Sequence, residues 1–288
     1  MQMITQLSPL LNVLLLSLVA SLGTGLGGLI AIIRRPGRRS YGFLMGITAG
    51  VMLCLAFLEL VNKAWELGGA LTATLGFGIG AAAMFFLDYL APHIRFGEME
   101  YRGEHATESP ADECEDRRPR RGWRFAGKGW RGGQHRPIDH KLINSGLLLA
   151  IGITLHNLPE GIAVGAGYMH NPQFGLFVAL AIMLHNIPEG LATALPLCKG
   201  GVRRWDALRV AFLSGFAEPV GALLAGLFLT SFASLVPAAL AFAGGVMVFI
   251  TLDELIPSAR EYGNVHWTSL GIILGSLFVF ILSAVLGI

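Results

Sequence analysis

Charge is scarce in this sequence. Only 14% of its 288 residues are Asp, Glu, Lys or Arg, whereas 53% are hydrophobic and the mean hydropathy is +0.61. Soluble domains carry about 25% charged residues, so the composition excludes a soluble domain. It predicts instead a protein that crosses the membrane several times.

Cysteine is also scarce, and two well-known enzyme motifs are missing. Two of the three cysteines, Cys114 and Cys198, fall on the side predicted to be cytoplasmic, Cys54 lies within a span, and no pair is evident. We therefore expect no disulfide. The sequence contains no Walker phosphate-binding loop, so ATP does not drive its activity, and no HExxH motif of zinc enzymes. We expect neither an enzyme nor a resident cofactor.

Long apolar runs make up most of the chain. A membrane-spanning helix needs about 20 mostly apolar residues. Runs of that length predict an all-α polytopic membrane protein with eight transmembrane helices, at residues 9–33, 41–64, 69–90, 143–168, 173–196, 206–231, 235–258 and 267–287. The first run is long, lacks a basic segment before it and is followed by arginines, so we interpret it as a span rather than a signal peptide.

The basic residues are distributed unevenly about these spans. Of the 21 Lys and Arg residues, all but Lys63 fall at loops on one side. The positive-inside rule makes that side cytoplasmic and places both termini outside the cytoplasm, in the plasma (inner) membrane of a bacterium.

Residues 91–142 form the one long polar stretch, with eleven basic and nine acidic residues. Such a mixed-charge segment predicts a flexible cytoplasmic loop. It connects residues 1–90, with transmembrane helices 1–3, to residues 143–288, with helices 4–8, in a single membrane domain. One hypothesis is weak metal binding there, and the alternative is that the basic half lies against anionic lipid. Lipid is a simpler partner than nucleic acid beside a membrane span. The candidate ligands of the first hypothesis are His93, His105, Cys114, His135 and His140.

One six-residue phrase occurs twice, within the fourth and fifth spans. Residues 156–161 are HNLPEG and residues 185–190 are HNIPEG. Helical geometry stacks His156 on Glu160 and His185 on Glu189, one turn apart on the same face. Each proline removes one backbone hydrogen bond, which bends the helix and frees a carbonyl. Imidazole, carboxylate and amide groups on one turn suit a divalent metal.

The alternative is that the histidines are packed in the core and the Pro-Glu-Gly segments are bent turns, with no metal bound. The recurrence of the whole motif favours a metal site. Glu218, in the sixth span and again followed by proline, is a third candidate acid. Ionisable residues at bilayer depth cost about 2.5–3.5 kcal/mol each, so protons or cations must neutralise Glu160, Glu189 and Glu218. Met52 shares a helix face with Glu59 in the second span, and by itself is ordinary core filler.

The paired HNxPEG motifs resemble those of the ZIP (Zrt-, Irt-like protein) family of divalent-metal transporters, especially its bacterial members of broad specificity. The resemblance implies a ZIP-like bundle whose central helices, four and five, carry a two-metal centre, and often a homodimer. One metal would take His156, Glu160, His185 and Glu189, with Met52 at its edge. The other would take Asn157, Glu160, Asn186, Glu189 and Glu218, with the two shared glutamates bridging. Glu59, Asp253 and Glu254 would lie on the access paths.

These patterns predict a secondary transporter that moves Zn²⁺ and related cations (Fe²⁺, Mn²⁺, Co²⁺, Cd²⁺) towards the cytoplasm. A selective divalent-cation channel is the first alternative, because conduction through several sites is compatible with the same ligands. An intramembrane metalloenzyme is the second alternative, and the missing second histidine and nucleophile argue against it.

Overall fold

The computed structural model of the chain describes residues 9–33, 37–90, 139–262 and 265–288, and all regular elements in these ranges are helical. Within those ranges, seven helical stretches are long and apolar enough to cross a membrane, judged by length and composition. The all-α membrane fold expected from the sequence is therefore confirmed. Most of the predicted loop, with His93, His105, Cys114 and His135, lies outside the described residues, and His140 is the first residue of a helix.

The described α-helices are labelled here in chain order. They are α1 (Pro9–Ile33), α2 (Arg38–Cys54), α3 (Asn62–Leu90), α4 (His140–His170), α5 (Pro172–Lys199), α6 (Arg204–Ser214), α7 (Ala217–Ser231), α8 (Val236–Ile250), α9 (Ile256–Tyr262) and α10 (Val265–Leu286). Two π-helical segments, Leu55–Val61 and Thr251–Leu255, join α2 to α3 and α8 to α9, and a short 3₁₀ turn, Ala233–Leu235, precedes α8.

The second and third predicted spans lie in a single helical stretch, Arg39–Tyr89, of 51 residues. A straight helix of that length would extend about 77 Å, more than twice the roughly 30 Å of a bilayer core. Gly69 lies at the predicted boundary of the two spans and has φ 77°, a left-handed conformation that interrupts the helix. The interruption is compatible with two spans, and the count of eight stays a prediction.

The sixth predicted span differs from the expectation of one continuous helix. It consists of α6 and α7, separated by a turn at Gly215 and Phe216. Pro219 has no N–H to donate to the Gly215 carbonyl, and the Glu218 N–H donates to that carbonyl instead, at 3.2 Å. The proline therefore lies in the first turn of α7, where its missing donor is tolerated, and α6 ends before it.

The helices pack as two sets. In the first set, here called the motif set, α1 packs on α5, α4 packs on α5 and α7, and α6 packs on α1 and α5. In the second set, α3 packs on α8, and α2 packs on α9 and α10. Contacts of α4 with α8 and of α2 with α5 join the two sets. The two HNxPEG helices therefore lie side by side and face the second set.

Local sequence signals explain where α5 begins. Asn171 is its N-cap, and its side-chain oxygen accepts hydrogen bonds from the N–H groups of Gln173 and Phe174, at 2.7 and 3.4 Å. Pro172 occupies the first helical position, where the backbone donor would have no helical partner. This start fixes the register of α5 and hence the direction in which its motif faces.

Candidate metal centre

Both motifs lie within continuous helices, although each contains a proline: α4 runs through Pro159 and α5 through Pro188. The candidate ligand side chains are buried, with exposures between 0 and 3%. They are His156, Asn157, Glu160, His185, Asn186, Glu189, Glu218 and Met52. Burial of this many polar groups in an apolar bundle is costly unless they have partners.

Three of these residues converge on one point between α4 and α5. Glu160, His185 and Glu189 each offer one ligand atom, and these atoms lie within 4.8 Å of one another. His185 Nε2 is 3.1 Å from Glu160 Oε1. Zinc–ligand bonds of about 2.1 Å place tetrahedral ligands roughly 3.4 Å apart, so small side-chain rotations would bring all three onto one ion.

Polar atoms without a hydrogen-bond partner are concentrated at this point. Among the described residues, the buried side-chain atoms that lack such a partner belong to Asn157, Glu160, His185, Asn186, Glu189, Glu218 and Glu254. Both oxygens of Glu160 are among them. Native proteins rarely leave buried polar groups unsatisfied, and an ion is one of the accepted explanations. The oxygen and nitrogen donors present suit a divalent first-row cation.

The two motif asparagines are held in the same way. Asn157 Nδ2 donates to the Ser214 carbonyl at the end of α6, at 3.0 Å, and Asn186 Nδ2 donates to the Ala20 carbonyl of α1, at 3.1 Å. Asn186 Nδ2 also donates to Glu218 Oε1. In both residues the amide nitrogen makes a hydrogen bond to another helix, and the amide oxygen Oδ1 has no hydrogen-bond partner. The asparagines therefore offer oxygen, the atom that a hard cation prefers.

His156 has a different partner from the one the sequence suggests. Its Nε2 lies 3.4 Å from Oε1 of Glu254, and both side chains are buried. Glu254 belongs to the second π-helical segment, so this pair joins the motif set to the second set. The resemblance placed Glu254 only on an access path, and the signal for a deeper position was an acid followed by Pro257 within an apolar run. Asp253, next to it, is exposed, and Glu59 in the first π-helical segment is half-buried.

Met52 is fully buried on α2. One turn earlier on the same helix face, Thr48 Oγ1 donates to the His185 carbonyl at 3.2 Å. This contact shows that the Thr48 and Met52 side of α2 faces α5 and its motif. Thr48 was missed by sequence reasoning, because a single threonine in an apolar run carries no recognisable signal.

The fold and the site together define a class: a multi-pass membrane protein whose adjacent helices bury a His- and carboxylate-rich cluster suited to a divalent cation. Comparison with known proteins gives the family. The family model described as "ZIP Zinc transporter" matches residues 96–283, and this chain belongs to the ZIP family. The resemblance predicted from the motifs is confirmed.

Individual relatives match over nearly the whole chain. The chain is 37% identical to "Zinc transporter ZupT" of Akkermansia muciniphila over 283 residues, which cover 94% of this chain and 96% of that protein. It is 37% identical to "Zinc transporter ZupT" of Oceanobacillus iheyensis, with 91% and 92% covered. It is 36% identical to "Zinc transporter ZTP29" of Arabidopsis thaliana, with 89% and 88% covered. Members of this family are transporters rather than enzymes, which confirms that expectation and removes the metalloenzyme alternative.

Proposed function

We propose that the protein is a secondary carrier that moves Zn²⁺ and related divalent cations (Fe²⁺, Mn²⁺, Co²⁺ and Cd²⁺) into the cytoplasm across a bacterial inner membrane. The observation that carries this proposal is the convergence of Glu160, His185 and Glu189 within 4.8 Å, fully inside the helix bundle. Among the described residues Glu160, Glu189 and Glu218 form no ion pair with a Lys or Arg, so a cation or protons must neutralise them. The transported ion serves this purpose.

The centre is proposed to hold two ions. The first would bind His156, His185, Glu160 and Glu189, with Met52 at its edge. His156 would have to leave Glu254, 3.4 Å away, to complete that set. The π-helical segment under Glu254 supports such a change, because π-helical turns are often found at functional sites.

The second ion would bind the two asparagine oxygens, Glu218 and the shared acids Glu160 and Glu189. Asn157, Asn186 and Glu218 each have a buried oxygen without a hydrogen-bond partner. Glu218 also lies in the first turn of α7, where the partial positive charge of the helix end stabilises a carboxylate. Bridging by two glutamates would place both ions between α4 and α5.

The topology and assembly proposals follow from the sequence and the family. Basic residues on one side support extracytoplasmic termini and a flexible cytoplasmic loop at 91–142. We also propose that the chain crosses the membrane eight times, forms a homodimer and has divalent cations and bilayer lipid as partners. A carrier is favoured over a channel because several chelating ligands around a buried ion slow its release.

The decisive experiment is ⁶⁵Zn²⁺ uptake into proteoliposomes by wild type and His185→Ala. Loss of the imidazole removes one member of the convergent triad, so we expect weaker Zn²⁺ binding and a large loss of uptake in a protein that still folds. His266→Ala is the matched control, because His266 is exposed and lies on α10, outside the motif set. Unchanged uptake in His185→Ala would contradict the proposal and favour a packed histidine.

The kinetics of the same assay separate a carrier from a channel. Uptake should saturate with Zn²⁺ and be inhibited by Cd²⁺, Co²⁺ or Mn²⁺ that compete for the same ligands. Turnover should lie far below the rates of ion channels. Unsaturable flux at channel rates would favour the channel alternative.

Deletion of residues 98–135 tests the role assigned to the loop. None of the proposed ligands lies in that segment, so we expect uptake to remain within about twofold of wild type, a change below about 0.5 kcal/mol. Membrane insertion, measured by quantitative fractionation, is the control. Complete loss of uptake with normal insertion would show that the loop takes part in transport.

A further inference from the structure

The motif glycines show that α1 and α7 contact the two motifs in the same way. A Cβ added at Gly161, the last residue of the first motif, would collide with the carbonyl of Glu218 on α7. A Cβ added at Gly190, the last residue of the second motif, would collide with the carbonyl of Thr24 on α1. Glu218 on α7 and Thr24 on α1 therefore occupy corresponding positions, each against the final glycine of one motif.

The reciprocal contacts agree. A Cβ at Gly221 of α7 would meet the carbonyl of Leu158, the residue after the first motif asparagine. A Cβ at Gly27 of α1 would meet the carbonyl of Ile187, the residue after the second motif asparagine. Gly221 follows Glu218 by three residues, and Gly27 follows Thr24 by three residues, so the register is the same.

The asparagine hydrogen bonds give the same register independently. Asn157 donates to Ser214, four residues before Glu218, and Asn186 donates to Ala20, four residues before Thr24. The motif set thus has an internal pseudo-twofold relation that exchanges α4 with α5 and the α6–α7 pair with α1. The sequence does not reveal it, because few residues of 20–27 (ASLGTGLG) match residues 214–221 (SGFAEPVG).

Thr24 occupies the position that corresponds to Glu218. It is fully buried, and its Oγ1 donates to the Ser21 carbonyl at 3.1 Å. A Cβ added at Gly215, next to the carbonyl that holds Asn157, would lie 2.5 Å from this hydroxyl. At the equivalent place on α7, the Glu218 carboxylate accepts a hydrogen bond from the second motif asparagine, Asn186. A carboxylate at position 24 would therefore face Asn157.

We propose that Thr24 is a further determinant of the metal centre: it holds the place equivalent to that of Glu218 and keeps that place neutral. This proposal rests on the proposed function. Glu160, Glu189 and Glu218 already face the proposed ions, and Glu254 is buried beside His156. An acid at position 24 would add one more negative charge next to the ions, which strengthens binding and slows release. Because Thr24 is neutral, the bound cation is released faster.

An exchange of side chains tests the equivalence. Zn²⁺ binding is measured for the purified full-length protein by competition with a chelator, in wild type, Glu218→Thr, and the double variants Thr24→Glu/Glu218→Thr and Thr24→Asp/Glu218→Thr. Glu218→Thr should weaken binding by about 10–100-fold. At least one double variant should bind at least about tenfold more tightly than Glu218→Thr alone.

The Asp variant guards against misfolding, because aspartate is close to threonine in size and needs no extra space beside Gly215. Thr268→Asp/Glu218→Thr is the matched control: Thr268 is a buried threonine on α10, so the same acid is placed in the bundle away from the centre. A folded Thr24→Asp/Glu218→Thr that binds no better than Glu218→Thr, or equal recovery in the control, overturns the role of Thr24.

A single variant tests the charge argument. Thr24→Asp with Glu218 retained should bind Zn²⁺ more tightly than wild type and show a lower maximal uptake rate. Binding equal to wild type overturns the charge argument. If wild type itself binds no Zn²⁺, the proposed function fails, which is distinguishable from wild-type binding without recovery in the exchange variants.

Discussion

Replacing Glu189 by glutamine is expected to reduce Zn²⁺ affinity and uptake by about two orders of magnitude. Glu189 belongs to the convergent triad and has an unpaired buried oxygen, and it is one of the two acids proposed to bridge the ions. Glutamine keeps the size and removes the charge. Outer-shell changes alone cost metal sites about 10–100-fold in affinity, so loss of a bridging ligand should lie at or beyond the upper end.

The comparison variant is Asn157→Ala, which removes a neutral donor to one ion only. Its loss should be about tenfold. Both variants are measured by ⁶⁵Zn²⁺ uptake and by chelator competition on purified protein. If Asn157→Ala were the more damaging of the two, the bridged arrangement would be wrong, because a neutral amide would then matter more than the shared charge.

Replacing Gly190 by alanine is expected to destabilise the protein by about 3 kcal/mol or more, the upper end of the usual cost of overpacking. The new Cβ would overlap the Thr24 backbone, which has no freedom to move because α1 and α5 are closely packed helices. Backbone atoms cannot adopt another rotamer, so the two helices would have to separate. We expect a lower thermal midpoint and loss of uptake together.

Gly78→Ala is the control for this prediction. Gly78 lies on α3 with open space around the added Cβ, and alanine in a helix is favoured over glycine by up to about 1 kcal/mol. Its thermal midpoint should be unchanged or raised. A Gly190→Ala protein as stable as wild type would show that α1 and α5 are less closely packed than the structure indicates.

The motif therefore contains two kinds of residue. His, Asn and Glu are the candidate metal ligands, whereas the final glycine lets α1 and the α6–α7 pair approach the motif helices closely enough for the Ala20 and Ser214 carbonyls and Glu218 to reach the asparagines. The family relationship explains the recurrence of the HNxPEG motif, and the packing explains why its final position holds glycine. The positions of these candidate ligands depend on backbone contact between helices.

Some elements could be predicted from sequence because the signal is local. The first span is Pro9–Ile33 as predicted, since twenty-odd apolar residues have only one stable form in a bilayer. The stacking of His185 on Glu189 also follows from one helical turn. In contrast, the break at Gly215 and the π-helical turns at Glu59 and Glu254 depend on packing partners distant in the chain, which periodicity does not encode.

From its own residues one can predict the class of the protein, the position of its apolar helices and two sets of candidate metal ligands, because hydropathy and helical spacing act over neighbouring residues. The packing of distant helices sets the remaining relations: Glu160 of one helix meets His185 of the next, His156 lies against Glu254, and Thr24 corresponds in position to Glu218. These relations join residues far apart in sequence, and they are fixed by how closely glycine-containing helices can approach one another.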